Sequence, residues 1–188
     1  AGAGVGTIGL VDDDVVSESN LQRQVLYTED EIGLSKALQA QKRLQALNHD
    51  IQINAYPTRL TKENAASLIA NYDIVVDGCD NFATRYIIND ACAHWGRPYV
   101  YGAILAFEGQ VSVFNYQGGP DYRTLYPDEE EMLAMPAPFK GVLGVTPGVI
   151  GCMEANEVMK IIGGYGEVLS GKLWQIDLRT MESYIIML

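Results

Sequence analysis

Cysteine is scarce in this chain. The three present, Cys79, Cys92 and Cys152, lie far apart and form no C-x-x-C pair, which excludes a disulfide framework and a thiolate zinc knuckle and leaves them as reduced, mostly core residues. Positive charge is scarce too. Thirteen Lys and Arg stand against 24 Asp and Glu, a formal net charge of −11, whereas a nucleic-acid surface needs a basic stripe to neutralise phosphates, so no nucleic-acid partner is expected. No apolar run reaches the roughly 20 residues of a membrane-spanning helix, and no basic, apolar, small-residue leader is visible. No membrane association is expected, and the expected location is cytoplasmic. Nor does the composition resemble that of a disordered chain. With 48% hydrophobic and 9% aromatic residues in 188, there is enough apolar material for a single domain with its own core.

What is present is an alternation of two hydrophobic periods. Residues 7–11 read as a strand. Thr28 and Glu31 have capping-box spacing, but Gly33 interrupts, so the first long helix is placed at 35–48. Strand 51–56, a helix from Thr61 to residue 72, a buried strand 74–76, helix 81–94 and strand 98–103 follow. This βαβα order predicts an α/β fold with a Rossmann-like, mostly parallel sheet and helices on both faces. After Gly109 the rhythm changes: strands 111–116, 173–177 and 184–188 predict an antiparallel C-terminal extension, with a helix at 147–162 between them. The Pro-rich, acidic stretch 118–141 is too long for an ordinary connection and reads as a lid or an interaction segment.

Two clusters carry chemistry. The strand 7–11 runs into Asp12, Asp13 and Asp14, followed by Asn20, Leu21, Gln22, Arg23 and Gln24. A carboxylate at the end of a parallel strand accepts hydrogen bonds from ribose hydroxyls, and Asp12 is the candidate. Arg23 offers a planar fork that matches phosphate oxygens, and Asn20 and Gln24 add neutral donors. The same residues also fit a solvated acidic turn and a polar loop. The second cluster, Asp77 to Asn81, ends the 74–76 strand, on the edge where open parallel sheets bind ligands. Asp80 suits magnesium, and Asn81 and Arg85, one helical turn apart, are placed to face one pocket. Either Asp80 or Asn81 also suits a plain helix cap. Lys36, at the start of a helix, gains a role only in this company.

The glycines at 4, 6 and 9 match G-x-G-x-x-G. That fingerprint requires the glycines to follow a strand and open a helix, and here they precede and enter a strand, which argues against a dinucleotide-dependent oxidoreductase. The opening Ala1-Gly2-Ala3-Gly4 reads instead as the end of a helix, so a strand and a helix are expected upstream of residue 1.

Asp12-x-Asp14, Asn20 to Gln24, Gly33-x-x-Lys36, Asp77-x-x-Asp80-Asn81 and Arg85, with Gly109 to Val113 and Gly148 to Gly151, resemble the ThiF/MoeB/HesA family, relatives of the ubiquitin-activating enzymes. The likeness spans nearly the whole chain and implies one adenylation domain over 1–188, with 118–141 as a crossover loop and a phosphate loop upstream of residue 1. It implies ATP-dependent adenylylation of the C-terminal Gly-Gly tail of a ubiquitin-like sulfur carrier protein, of the thiamine or molybdopterin type, by a homodimer. By match, Asp12 and Asp14 fall in the ribose motif; Asn20, Arg23, Gln24 and Lys36 reach phosphates; Asp80 holds magnesium; and Asn81 and Arg85 complete the nucleotide site, with Arg23, Lys36 and Asp80 as the catalytic set.

Two departures matter. Where many members carry a zinc-binding C-x-x-C, Asp121 and Thr124 stand instead, so no structural zinc is expected. Where thiol-linking members place a cysteine, this chain has Pro136-Ala137-Pro138, so a separate sulfur donor is implied. A non-catalytic subunit of an activating-enzyme pair is a further reading, against which the retained Arg23, Lys36 and Asp80 weigh. A tRNA-nucleoside dehydratase of the same family would need a more basic surface.

Overall fold

The computed structural model describes residues 1–136 and 141–188, which divide into two compact units, Ala1–Leu60 and Thr61–Leu188. In the first unit, strand β1 (Thr7–Val11) pairs in parallel with β2 (Gln52–Tyr56), Thr7 opposite Gln52 and Val11 opposite Tyr56. The connection between them contains helix α1 (Lys36–Leu47). Ser35 caps it by accepting a hydrogen bond from the Leu38 N–H, an interaction typically worth about 1 kcal/mol. Ala37 and Ala40 are buried on one face at helical spacing, and with Val16, Ile51 and Ile53 they form this unit's core. Small residues here let the helix lie close to the strands.

The second unit is built on a five-stranded sheet in the order β3 (Val75–Val76), β4 (Tyr99–Leu105), β5 (Glu108–Phe114), β6 (Lys172–Asp177), β7 (Glu182–Met187). β3 and β4 are parallel, joined through helix α3 (Phe82–Trp95), and every later pair is antiparallel. Helix α2 (Lys62–Ile69), capped by Thr61, precedes β3 and packs on α3. The expected α/β class, with parallel pairing first and an antiparallel extension after it, is therefore found. Strand 74–76 departs from expectation in its burial: Val76 is 47% exposed.

Because side chains alternate along a strand, the β4–β5 ladder presents two different faces. One carries Val100, Val111 and Val113, which pack with Leu169 and with Ile150 of helix α6 (Val145–Gly163). Gly102 and Gly109 lie on this face, where a Cβ would collide with Glu154 and Ile150 respectively, so glycine is what lets α6 approach. The opposite face carries Tyr99, Tyr101 and Phe114, which pack edge-on and tilted against Tyr122, with ring centroids 5.5 Å apart for Tyr101 and Tyr122. Helices thus cover both faces of this sheet.

Residues 118–136 carry more local structure than their composition suggested. They contain helices α4 (Tyr122–Leu125) and α5 (Glu129–Ala134). Arg123 binds Asp90 of α3 through two hydrogen bonds, reaches Glu129 at 2.8 Å and lies over the Tyr86 ring. The segment is fastened to α3, and Ala137 and Pro138 of the Pro136-Ala137-Pro138 tripeptide fall outside the described residues.

Tyr122 is fully buried, and among the described residues its hydroxyl has no hydrogen-bond partner. Tyr122→Phe is expected to leave stability unchanged or raise it by up to about 1 kcal/mol, because an unsatisfied buried hydroxyl is removed. Tyr122→Ala is expected to lose about 3–5 kcal/mol by opening the aromatic layer. Urea unfolding of both variants checks the pair.

Candidate functional site

In the first unit, the chain leaving β1 is folded back on itself by backbone pairing. Val16 N–H donates to the Leu34 carbonyl, Gly33 N–H to the Val16 carbonyl at 2.8 Å, and Lys36 N–H to the Asp14 carbonyl. Gly33 sits at φ +85°, a left-handed conformation that disfavours any other residue. This brings Lys36 to Asp14. The ammonium donates to Asp14 Oδ2 at 2.6 Å, with the lysine side chain 8% exposed and the aspartate 64%. The lysine at the start of α1 is thus held inside, aimed by a carboxylate. The hydrogen bond from Lys36 holds the Asp14 carboxyl below its ordinary pKa.

Asp12 Oδ1 accepts from the Asp14 N–H, fixing the turn after the strand. Tyr27 stands near this charge. Burial, then the negative charges of Asp12 and Glu31, push its hydroxyl up to about 12. Asn20 to Gln24 forms a compact turn: the Asn20 carbonyl accepts from the N–H groups of Arg23 and Gln24, and the buried Asn20 side chain accepts from the Ser17 N–H. Arg23 Nη1 donates to the Ser19 carbonyl, while the buried Gln24 Oε1 has no partner among the described residues. Asp12, Asp14, Lys36 and the 20–24 turn are all assembled in this unit.

In the second unit, the loop after β3 is organised by one carboxylate. Asp77 is buried; its Oδ2 accepts from Arg85 Nε at 2.8 Å and from the Tyr99 hydroxyl at 2.9 Å, and its Oδ1 accepts from the Cys79 N–H and thiol. Arg85 Nη2 adds hydrogen bonds to the carbonyls of Cys79 and Gly102, and its guanidinium lies 5.3 Å from the Tyr101 ring centroid. Burial pushes the Cys79 thiol up, with the Asp77 charge adding to it, which disfavours its thiolate.

The expectation that Asn81 and Arg85 face one pocket is corrected by these bonds. Arg85 is 8% exposed and turned inward onto Asp77. Asn81 caps α3, accepting from the Thr84 N–H at 2.8 Å, which matches the helix-cap reading. Asp80 is different. It stands exposed at the tip of the loop, touched by the Asn81 amide at 3.3 Å. A single accessible carboxylate of this kind is what magnesium uses when substrate phosphates and water supply its other oxygens; among the described residues no cluster of three or more metal-ligating side chains exists.

The remaining motifs resolve as follows. The Gly4, Gly6, Gly9 triplet closes a turn and enters β1, and the first α-helix begins only at Lys36, so the dinucleotide fingerprint lacks its helix. Asp121 caps α4, accepting from the Thr124 N–H and hydroxyl, so both residues at the C-x-x-C positions are engaged in a helix cap. Sequence reasoning missed two buried acids on α6, Glu154 and Glu157. The signal was available: Ile150, Glu154 and Glu157 share one helical stripe, and Ile150 is a core residue.

Arg85 and Asp80 are predicted to separate cleanly on mutation. Arg85→Ala leaves a buried carboxylate without its counter-charge and is expected to lose about 3–5 kcal/mol of folding stability. Asp80→Ala is expected to change it by no more than about 0.5 kcal/mol. Equilibrium urea denaturation of the two variants beside the parent chain measures both.

The chain is similar to curated proteins over nearly its whole length. It is 47% identical over 184 residues to a probable molybdopterin-synthase adenylyltransferase of Porphyra purpurea, covering 97% of this chain and 48% of that protein. It is 49% identical over 181 residues to a sulfur carrier protein adenylyltransferase of Thermus thermophilus, covering 93% and 67%. The chain therefore spans about half to two thirds of these relatives' lengths. Among solved structures, E. coli MccB superposes with a TM-score of 0.81 at 21% identity, over 99% of this chain and 56% of that one, a likeness of fold. The sequence profile of the ThiF family matches residues 1–187, and the chain belongs to the ThiF family.

Proposed function

We propose that this chain is the activating part of an ATP-dependent adenylyltransferase whose substrate is the C-terminal glycine of a ubiquitin-like sulfur carrier protein. The observation that carries the reading is the contrast within the 77–85 loop. Asp77 and Arg85 are buried on each other, while Asp80 is held out at the tip of the loop they shape. The names of the curated relatives, a sulfur carrier protein adenylyltransferase and a molybdopterin-synthase adenylyltransferase, support the same substrate class. Treating both compact units as parts of one adenylation domain belongs to the proposal and is supported by the reach of the family profile.

The reaction needs little from the protein as acid or base. The carrier's terminal carboxylate is already the nucleophile: one of its oxygens bonds to the α-phosphorus of ATP, the bond from that phosphorus to the bridging oxygen breaks, and pyrophosphate leaves. Catalysis of this kind is positioning and charge neutralisation. Asp12 suits ribose hydroxyls as an acceptor. Arg23, Asn20 and Gln24 offer donors for phosphate oxygens, and Lys36, oriented by Asp14, offers a fixed positive charge. Asp80 would hold magnesium, which neutralises phosphate charge when bound. Asn81 and Arg85 serve by shaping the loop that carries Asp80. A homodimer, a separate protein as sulfur donor and a cytoplasmic location complete the proposal.

Pyrophosphate exchange by the full-length protein tests it. Exchange should depend on a carrier with an intact Gly-Gly tail and should fall by about 10²-fold or more in Asp80→Ala. A carrier-independent signal, or an Asp80→Ala enzyme as active as the parent, would remove the basis for the mechanism.

A further inference from the structure

Glu154 lies on the stripe of α6 that packs against the β4–β5 face, 6% exposed, with its Oε1 lacking any partner among the described residues. Its carboxyl group stands over the Gly102 α-carbon. A Cβ built on Gly102 would lie 2.4 Å from the Glu154 carboxyl carbon and 2.7 Å from each oxygen. The Gly102 carbonyl in turn accepts from Arg85 Nη2 at 3.3 Å. Arg85 also binds the Cys79 carbonyl at 2.9 Å and Asp77 Oδ2 at 2.8 Å, and Asp77 N–H pairs with the Val100 carbonyl of β4. One chain of contacts therefore runs from Glu154 through residue 102 to Arg85 and on to the loop that carries Asp80.

We propose that Glu154 is a positioning residue for the Asp80 loop: by filling the space a side chain at position 102 would take, its carboxyl group fixes the β4 carbonyl on which Arg85 rests. The assignment rests on the adenylyltransferase reading for its catalytic consequence and on geometry alone for the contact. The groups facing Glu154 electrostatically are Asp77 and Arg85; Glu157, one turn along α6, is taken up by the Leu169 N–H and by Lys160. Burial, with the Asp77 charge adding and Arg85 opposing, pushes the Glu154 carboxyl up to about 9. It is the neutral acid that fits beside Asp77. An ionised Glu154 would compete with Asp77 for Arg85.

Three substitutions in the full-length protein, singly and with Gly102→Ala and Glu154→Ala combined, test this. Gly102→Ala alone should lower the thermal midpoint by roughly 5–10 °C, the result of overpacking against Glu154. In an Glu154→Ala background the same substitution should cost much less, because the obstructing carboxyl is gone. Below pH about 4.5 folded and unfolded chains both hold the Glu154 proton; between there and about 9 the folded chain alone holds it, so this residue's contribution to stability falls as pH rises. The midpoint of Glu154→Gln should therefore match the parent near pH 5 and exceed it increasingly toward pH 8.5. In pyrophosphate exchange, Glu154→Gln should keep the parent kcat at pH 7 and hold it above pH 9, where the parent declines, while Glu154→Ala should lower kcat about tenfold. Additive effects of the 102 and 154 substitutions would overturn the contact, and a midpoint gap that does not change with pH would overturn the neutral state of Glu154. Equal kcat for the Ala and Gln variants would overturn the positioning role. A parent enzyme that shows no exchange with any carrier counts against the proposed function, and the folding measurements then decide the contact by themselves.

Discussion

The buried pair of Asp77 and Arg85 is the constraint on which the second unit depends. Taking a carboxylate and a guanidinium out of water is costly, and such a pair contributes little net stability compared with apolar packing of the same volume. Its value here is geometric. Asp77 ends β3, Arg85 belongs to α3, and the bonds from these two side chains reach Tyr99, Cys79 and the Gly102 carbonyl. Three elements that hydrophobic burial alone would leave free to slide are registered to one another by directional bonds. Tyr101 adds its ring face to the guanidinium, a contact that strengthens when desolvated. Every bonding direction of Asp77 is used, so the loop after β3 has one shape, and the exposed carboxylate of Asp80 inherits a fixed position from groups that never reach the surface.

Much of the architecture was legible because it is local. Ser35, Thr61 and Asn81 announce helix starts by side-chain chemistry, and α1, α2 and α3 begin one residue after each of them. Strand boundaries fell within a few residues because β-branched and aromatic residues alternate with polar ones. Of the candidate residues, Asp12, Asp14, Asn20, Arg23 and Lys36 are close in sequence and lie within one unit, where Lys36 reaches Asp14. What could not be read is non-local. Arg85 presents itself in the sequence as an exposed basic residue one turn from a cap, and only the approach of β4, contributing Tyr99, Tyr101 and the Gly102 carbonyl, turns it inward. Likewise the placement of residues 121–134 depends on Arg123 finding Asp90 and on Tyr122 entering a layer formed by β4, β5 and α3. Local composition there is acidic and proline-containing, and it carries no trace of those partners.

If the chain acts as an adenylyltransferase, as proposed, charge placement is what would let so acidic a chain hold a polyphosphate. A net charge of −11 would repel a nucleotide if it were spread evenly, so cationic groups have to be fixed in place. Lys36 is fixed by Asp14, whose charge offsets part of the lysine's own but whose hydrogen bond restrains a long side chain; a preorganised charge loses less entropy when a ligand arrives than a mobile one. Arg23 is steadied in the same manner by a neutral partner, the Ser19 carbonyl, and so keeps its full charge. The two cations are restrained by different means and differ in the net charge they present.

Glu154 extends the same logic to the interior. Three ionisable groups, Asp77, Arg85 and Glu154, share a region with one cation among them, and two carboxylates cannot both ionise there without leaving one uncompensated. Asp77 has the direct hydrogen bond to Arg85, and Glu154, its carboxyl raised by burial, is the one that keeps its proton. A neutral carboxylic acid packs closely over a glycine backbone, where an ionised one would draw in water or pull on Arg85. Gly102 and Glu154 are in this sense a single decision: a strand position without a side chain, and a helix position whose side chain fills the space, with the charge state of the second set by the ion pair on the far side of the first.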